Sequence, residues 1–207
     1  MNTKNIALEL AQKLYNAQLP YHNFEHALNA IDAGEKMIKA CKKENINVDE
    51  DVVYYALLFH DAGYHEDYRL KGFDSKESYA AYLAKVSLKE IGIDNDSIKE
   101  VERAIISTHQ KESFKTNEQK IVRAADLAGM TNDYEIFLEN NRKLRKEHKL
   151  LTGEDLSIDE WKAQTRKIIG FYLSQNIQLT SKYVDVNGES IFHKKAAENL
   201  TRFCNEI

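Results

Sequence analysis

The chain has 207 residues, of which 43% are hydrophobic and 30% charged, and its formal charge is −4. A chain of this length can bury a sizeable core without disulfides, and its balance of apolar and charged side chains excludes a disordered polymer. Lysines are interspersed with acids throughout, so there is no basic face of the kind that grips nucleic acid, and nucleic acid is not expected as a structural partner.

One Pro and eight Gly leave little punctuation, which favours long helices and predicts an all-α fold. Residues 3–17 carry apolar Ile6, Leu8, Leu10, Ala11 and Leu14 at helical spacing, and Pro20 ends that pattern. A second helix is expected from Asn23, as cap, to about Glu44. Asp49 or Asp51 then caps a third helix carrying "VVYYALLFH". It is apolar nearly all round and so expected to be buried.

The polar stretch "DAGYHEDYRLKGFDS" after His60 is a loop of functional length. Ser75 opens a helix that stops at Gly92, and "NDSIKEVERAIISTHQ" and "NEQKIVRAADLAGM" supply two more. Three further amphipathic helices follow residue 133. With no linker, repeat or low-complexity tract, the expectation is one domain, its site confined to about residues 15–130 and extended by helices over 131–207.

Cys41 and Cys204 lie far apart without a C-x-x-C companion, which fits reduced thiols. No apolar h-region follows Met1 and no run approaches a membrane span, so no membrane association and a cytoplasmic location are expected.

Five polar side chains stand on or beside apolar helical runs: His22, His26, His60, Asp61 and Asp126. His22 and His26 are four apart and would share a helical face. Asp126 sits among small and apolar neighbours, where an ionised carboxylate is costly unless it is paired or binds a metal. Two imidazoles and two carboxylates, from His26, His60, Asp61 and Asp126, form a mixed N/O set suited to a divalent transition metal such as Mn, Fe, Ni, Co or Zn. Taken singly, each histidine is more often a satisfied core group than a ligand. The ordered set in helical context is what points to metal.

The stretches "YHNFEHA", "LLFHDAGYH" and "RAADLAG" resemble the motifs of the HD superfamily of metal-dependent phosphohydrolases, over about residues 15–130. The resemblance implies an HD-type helical bundle with additional C-terminal helices. It makes His26 the first histidine, His60 and Asp61 the HD doublet, and Asp126 the last aspartate of a ligand set. The Tyr-His-Asn element is also similar to that of 3′,5′-cyclic nucleotide phosphodiesterases, and there His22 would protonate the leaving oxygen. Histidine as a residue type titrates close enough to neutrality for that role.

The likeness is closer still to a group of small bacterial proteins classed as HD phosphohydrolases, in which a helix start like "SKESYAA" recurs. It points to Glu77 as a water-positioning residue, with His22 and Asp61 as the other catalytic groups. The phosphodiesterases carry a histidine three residues after the HD aspartate, whereas His65 lies four after Asp61. One metal is therefore expected, and His65 with His109 could hold a second, Mg included, or a phosphate.

The implied reaction is hydrolysis of a phosphoester or phosphoanhydride of a small nucleotide-like substrate by metal-bound hydroxide. Arg69, Lys71, Lys76 and Lys111 are candidate phosphate clamps and Tyr21 and Tyr64 candidates for stacking on a base, each set against the ordinary alternative of solvated surface or core packing. Alternatives left open are a second-messenger hydrolase acting on cyclic nucleotides or guanosine polyphosphates, and a non-catalytic nucleotide-sensing module. For the helices after residue 133, a pocket cover and a homodimer face are both open, with core packing as the default.

Overall fold

A computed structural model of the chain describes residues 2–109, 113–175, 177–183 and 190–206. As the sequence predicts, these residues are helical throughout their regular structure. They form α1 (Thr3–Gln12), α2 (Phe24–Lys43), α3 (Glu50–Phe59), α4 (Lys76–Glu90), α5 (Asn95–Ile106), α6 (Asn117–Asp126), α7 (Tyr134–Thr152), α8 (Ile158–Leu173) and α9 (Ile191–Asn205). A short 3-10 turn covers Leu127–Thr131. Among the described residues no helix is long and apolar enough to cross a membrane. The chain divides into two compact units, Met1–Asp126 and Leu127–Ile207.

The first unit is organised around α3, which packs against α1, α2, α4, α5 and α6. With only ten residues, α3 is too short to be stable alone. Seven of those residues, including Leu57, Leu58 and Phe59, are buried, and each large apolar side chain contributes roughly 1.5–3 kcal/mol. Tertiary packing therefore holds this helix.

Local chemistry sets its neighbours' starts. The Asn23 side chain accepts hydrogen bonds from the Glu25 and His26 amides, and Asp49, rather than Asp51, caps α3 through the Asp51 and Val52 amides. Ser75 caps α4 in a reciprocal bond pair with Ser78. Such caps contribute about 1 kcal/mol each.

Several boundaries depart from expectation: α5 stops at Ile106 and α6 at Asp126, short of the patterns that run on to residues 110 and 130, and the first helix differs as well. The pattern over residues 3–17 predicts a longer first helix, yet α1 ends at Gln12. Tertiary bonds take over beyond it: the Leu14 carbonyl accepts from the Gly63 amide at 3.0 Å, and the Tyr15 hydroxyl donates to the Leu58 carbonyl at 2.9 Å.

In the second unit, Tyr134, Phe137, Trp161, Ile169 and Phe203 form a buried cluster joined by Met130, Leu138, Leu144, Leu156, Leu173 and Leu200. The core-packing default thus accounts for Trp161. Lys162, on α8, donates to the Glu206 carbonyl at 2.9 Å and so satisfies a backbone group at the end of α9.

Candidate metal centre

Four side chains from three helices of the first unit converge. His26 comes from the first turn of α2, His60 and Asp61 follow the last residue of α3, and Asp126 ends α6. One nitrogen or oxygen atom from each lies within 4.8 Å of all the others.

Close approach of α2 and α3 makes this possible, and Gly34 permits it. A Cβ at that position would stand 2.5 Å from Leu57 Cδ1, well inside contact distance. The absence of a side chain at Gly34 brings the helix bearing His26 against the helix that leads into His60.

The contacts inside the cluster leave one buried carboxylate oxygen, Asp61 Oδ2, without a hydrogen-bond partner. His60 Nδ1 lies 2.7 Å from the Leu57 carbonyl, and since a carbonyl only accepts, that nitrogen carries a proton. His60 Nε2 therefore points into the cluster. It lies 3.2 Å from His26 Nε2, 3.0 Å from Asp61 Oδ2 and 3.4 Å from Asp126 Oδ1. His26 Nε2 is 3.5 Å from Asp61 Oδ2 and 3.4 Å from Asp126 Oδ1.

Asp61 Oδ2 is buried, yet no aligned donor reaches it. Atoms that each lie about 2.1 Å from one cation stand roughly 3.0–3.4 Å apart. The spacing, the inward Nε2 atoms and the buried carboxylate oxygen fit a divalent metal.

The electrostatics agree. Burial alone would pull the His60 imidazole down, but the negative charges of Asp61 and Asp126 outweigh it and hold its pKa well above the ordinary value. Burial pushes the Asp61 carboxyl up, and the positive charge of His60, joined by His22 and His26, overrides that and lowers it to about 2. Asp126 is likewise lowered against burial by His26 and His60. In the absence of a metal, the negative charges of Asp61 and Asp126 favour a proton on His60.

Second partners fix the ligands. The Leu57 carbonyl orients His60, an arrangement typical of metal-bound histidines. Tyr15, tied to Leu58, feels the charges of Asp61 and Asp126, and its hydroxyl is held well above the usual range, mainly by burial. Arg123, fully buried at 0% exposure, donates to the Ser107 and His109 carbonyls and secures the segment after α5. The bare sequence does display Arg123 as a charge inside an apolar helix, whereas nothing in it marks Tyr15 or Gly34.

The other candidate residues separate. His22 stands beside the cluster, its ring centroid 5.7 Å from that of His26 and its charge acting on Asp61. Tyr21 lies against both histidines, at 4.9 Å and 4.7 Å. Lys76 sits over the Tyr64 ring.

Glu77, half-buried in the first turn of α4, lies outside the ligand group. His65 is exposed and His109 half-buried, and among the described residues neither joins a cluster of potential ligands. Lys71 pairs with Glu66 at 3.0 Å, and Arg69 lies over Tyr68 at 5.3 Å. Lys111 lies outside the described residues.

In comparisons with known proteins, no family model and no curated protein matches the chain.

Proposed function

We propose that this chain is a metal-dependent phosphohydrolase of the HD type, acting on a phosphoester or phosphoanhydride of a small nucleotide-like substrate. The convergence of His26, His60, Asp61 and Asp126 on one point carries this reading. The resemblance of the motifs around those residues to the HD pattern supplies the reaction class. A divalent transition metal such as Mn, Fe, Ni, Co or Zn, held there, supplies Lewis acidity toward a phosphoryl oxygen and lowers the pKa of water beside it.

The chain's own residues do the rest. Asp61 and Asp126 provide negative charge that selects a cation, and the buried His60 contributes a nitrogen whose orientation the Leu57 carbonyl fixes. His22, beside the ligands rather than among them, delivers a proton from a ring nitrogen to the leaving oxygen. Lys76, over the Tyr64 ring that stacks on His22, adds positive charge near an incoming phosphate.

Elemental analysis of the purified protein, followed by assays on bis-p-nitrophenyl phosphate, nucleoside mono- and triphosphates, cyclic nucleotides and guanosine polyphosphates, tests the proposal. The expected result is about one equivalent of transition metal per chain and turnover that a chelator abolishes. Bound metal with no turnover of any phosphoester replaces the enzyme with a nucleotide-sensing module.

A further inference from the structure

Tyr64 is sandwiched between two side chains from other segments. Its ring centroid lies 3.3 Å from Lys76 Nζ and 3.9 Å from the centroid of the His22 ring, with 12° between the ring planes. An ammonium group and a parallel imidazole that close to one centroid would overlap if they shared a face. They therefore occupy opposite faces of the phenol ring.

Each layer comes from a separate piece of chain: His22 precedes α2, Tyr64 follows α3, and Lys76 is the first residue of α4. A cation at a helix N-terminus is opposed by the helix dipole. The π-face of Tyr64 gives the Lys76 ammonium a compensating electrostatic contact.

The backbone under Tyr64 is tied down as well. The Tyr64 amide donates to the Asp61 carbonyl at 3.1 Å. Gly63, at φ 72°, directs the chain there through a conformation open mainly to glycine. A Cβ at Gly63 would also lie 2.7 Å from Tyr79 Cε1. The platform beneath His22 is thus part of the turn that carries the metal ligand Asp61.

We infer that Tyr64 is a positioning residue for His22: the Lys76–Tyr64–His22 stack sets the plane of the imidazole at the edge of the metal cluster, and with it the direction in which His22 presents its ring nitrogens. The catalytic consequence rests on the phosphohydrolase reading, whereas the ring geometry does not. A proton donor works only within hydrogen-bond reach of the atom it serves. A ring free to rotate about its side-chain bonds loses that alignment, and misplacement on the ångström scale costs rate steeply.

Two measurements on the full chain test the inference. In the metal-free protein, the carbon-bound ring protons of His22 are assigned by their disappearance in His22→Ala. They are expected upfield of their ordinary position because of the Tyr64 ring current. Tyr64→Phe keeps that shift, Tyr64→Leu abolishes it and Lys76→Met diminishes it.

In the metal-loaded protein, Tyr64→Leu is expected to lower kcat about tenfold or more on a ribose-leaving phosphoester, with KM and metal content within about twofold of wild type. On bis-p-nitrophenyl phosphate the loss should be small, because p-nitrophenolate is a weak base that departs without a proton. A general loss of structure would depress both substrates alike. Tyr64→Phe restores most of the rate.

Equal losses on the two substrates, or His22 resonances identical in wild type and Tyr64→Leu, overturn the inference. So does a Lys76→Met protein that leaves the His22 resonances in place, whatever its KM. If the wild type hydrolyses no phosphoester, the phosphohydrolase reading falls, and the resonance measurement by itself decides whether Tyr64 sets the His22 ring.

Discussion

His26 Nε2 and His60 Nε2 face each other across 3.2 Å, although His60 carries its neutral-state proton on the opposite nitrogen, against the Leu57 carbonyl. Two imidazole lone pairs so close repel unless a proton or a cation lies between them. The carboxylates of Asp61 and Asp126 beside them favour either one. The behaviour of the site is expected to follow from competition between a proton and a metal ion for this space.

Removing one ligand and removing the neighbouring histidine should have separable effects. Asp61→Ala is expected to weaken metal binding by more than about 100-fold, beyond the effect of outer-sphere changes, with helical content by circular dichroism retained. His22→Ala should keep the metal and lose about 100-fold or more in turnover of ribose-leaving esters. Full metal-dependent hydrolysis by Asp61→Ala would remove the site from the reaction.

Stability of the metal-free protein should depend on pH in two directions. The pKa of His60 is raised in the folded state, so its contribution is complete below the unfolded value of about 6.5 and disappears as pH rises through the folded one. Asp61 is lowered to about 2, so its contribution is complete above about 4 and is lost as pH falls toward 2. Thermal unfolding in chelator should therefore weaken on the alkaline side. Saturating metal, which needs deprotonated ligands, should remove that alkaline loss. A metal-free midpoint that is the same at pH 6 and pH 9 would contradict the role given to His60.

Tyr15→Phe deletes one hydroxyl and keeps the ring that packs 5.6 Å from Phe24. Loss of the buried bond to Leu58 should cost about 1 kcal/mol in urea unfolding. Because Tyr15 secures the turn bearing His60 and Asp61, metal affinity in a chelator competition should fall about 10- to 100-fold. A stability loss with unchanged affinity would confine Tyr15 to the core.

Gly34→Ala tests the approach of α2 to α3. Helix propensity favours alanine by up to about 1 kcal/mol. The new methyl, however, would meet Leu57 Cδ1 at 2.5 Å, and Leu57 is buried with little room to turn. Overpacking of that kind costs roughly 1–3 kcal/mol, so a net loss of stability together with weakened metal binding is expected. A more stable variant with full metal affinity would show that the two helices have slack.

Much of the site is visible before any coordinates. Asp126 stands out because a carboxylate among alanines on a buried helix needs a partner, and His60 and Asp61 because they follow the most apolar run in the chain. The cations are harder to place. Lys71 is drawn to Glu66 and Lys76 to Tyr64, choices that depend on how one loop folds back. His65 and His109 show no such convergence, since identity and spacing do not reveal which way a loop side chain turns.

The sequence by itself determined the helical class, the starts of α2 and α4 at Asn23 and Ser75, the burial of α3 and the four-residue ligand set as a hypothesis. These depend on apolar periodicity and on side chains that bond amides two or three residues away, so a short window contains their cause. Only the tertiary structure decided that α1 stops at Gln12, that Gly34 lets α2 meet α3, that Tyr15 secures the turn after α3, and that Tyr64 lies between Lys76 and His22. The physical reason is separation along the chain. His26 and His60 are 34 residues apart, and atoms that distant meet only after the core has packed and the loops have closed around it.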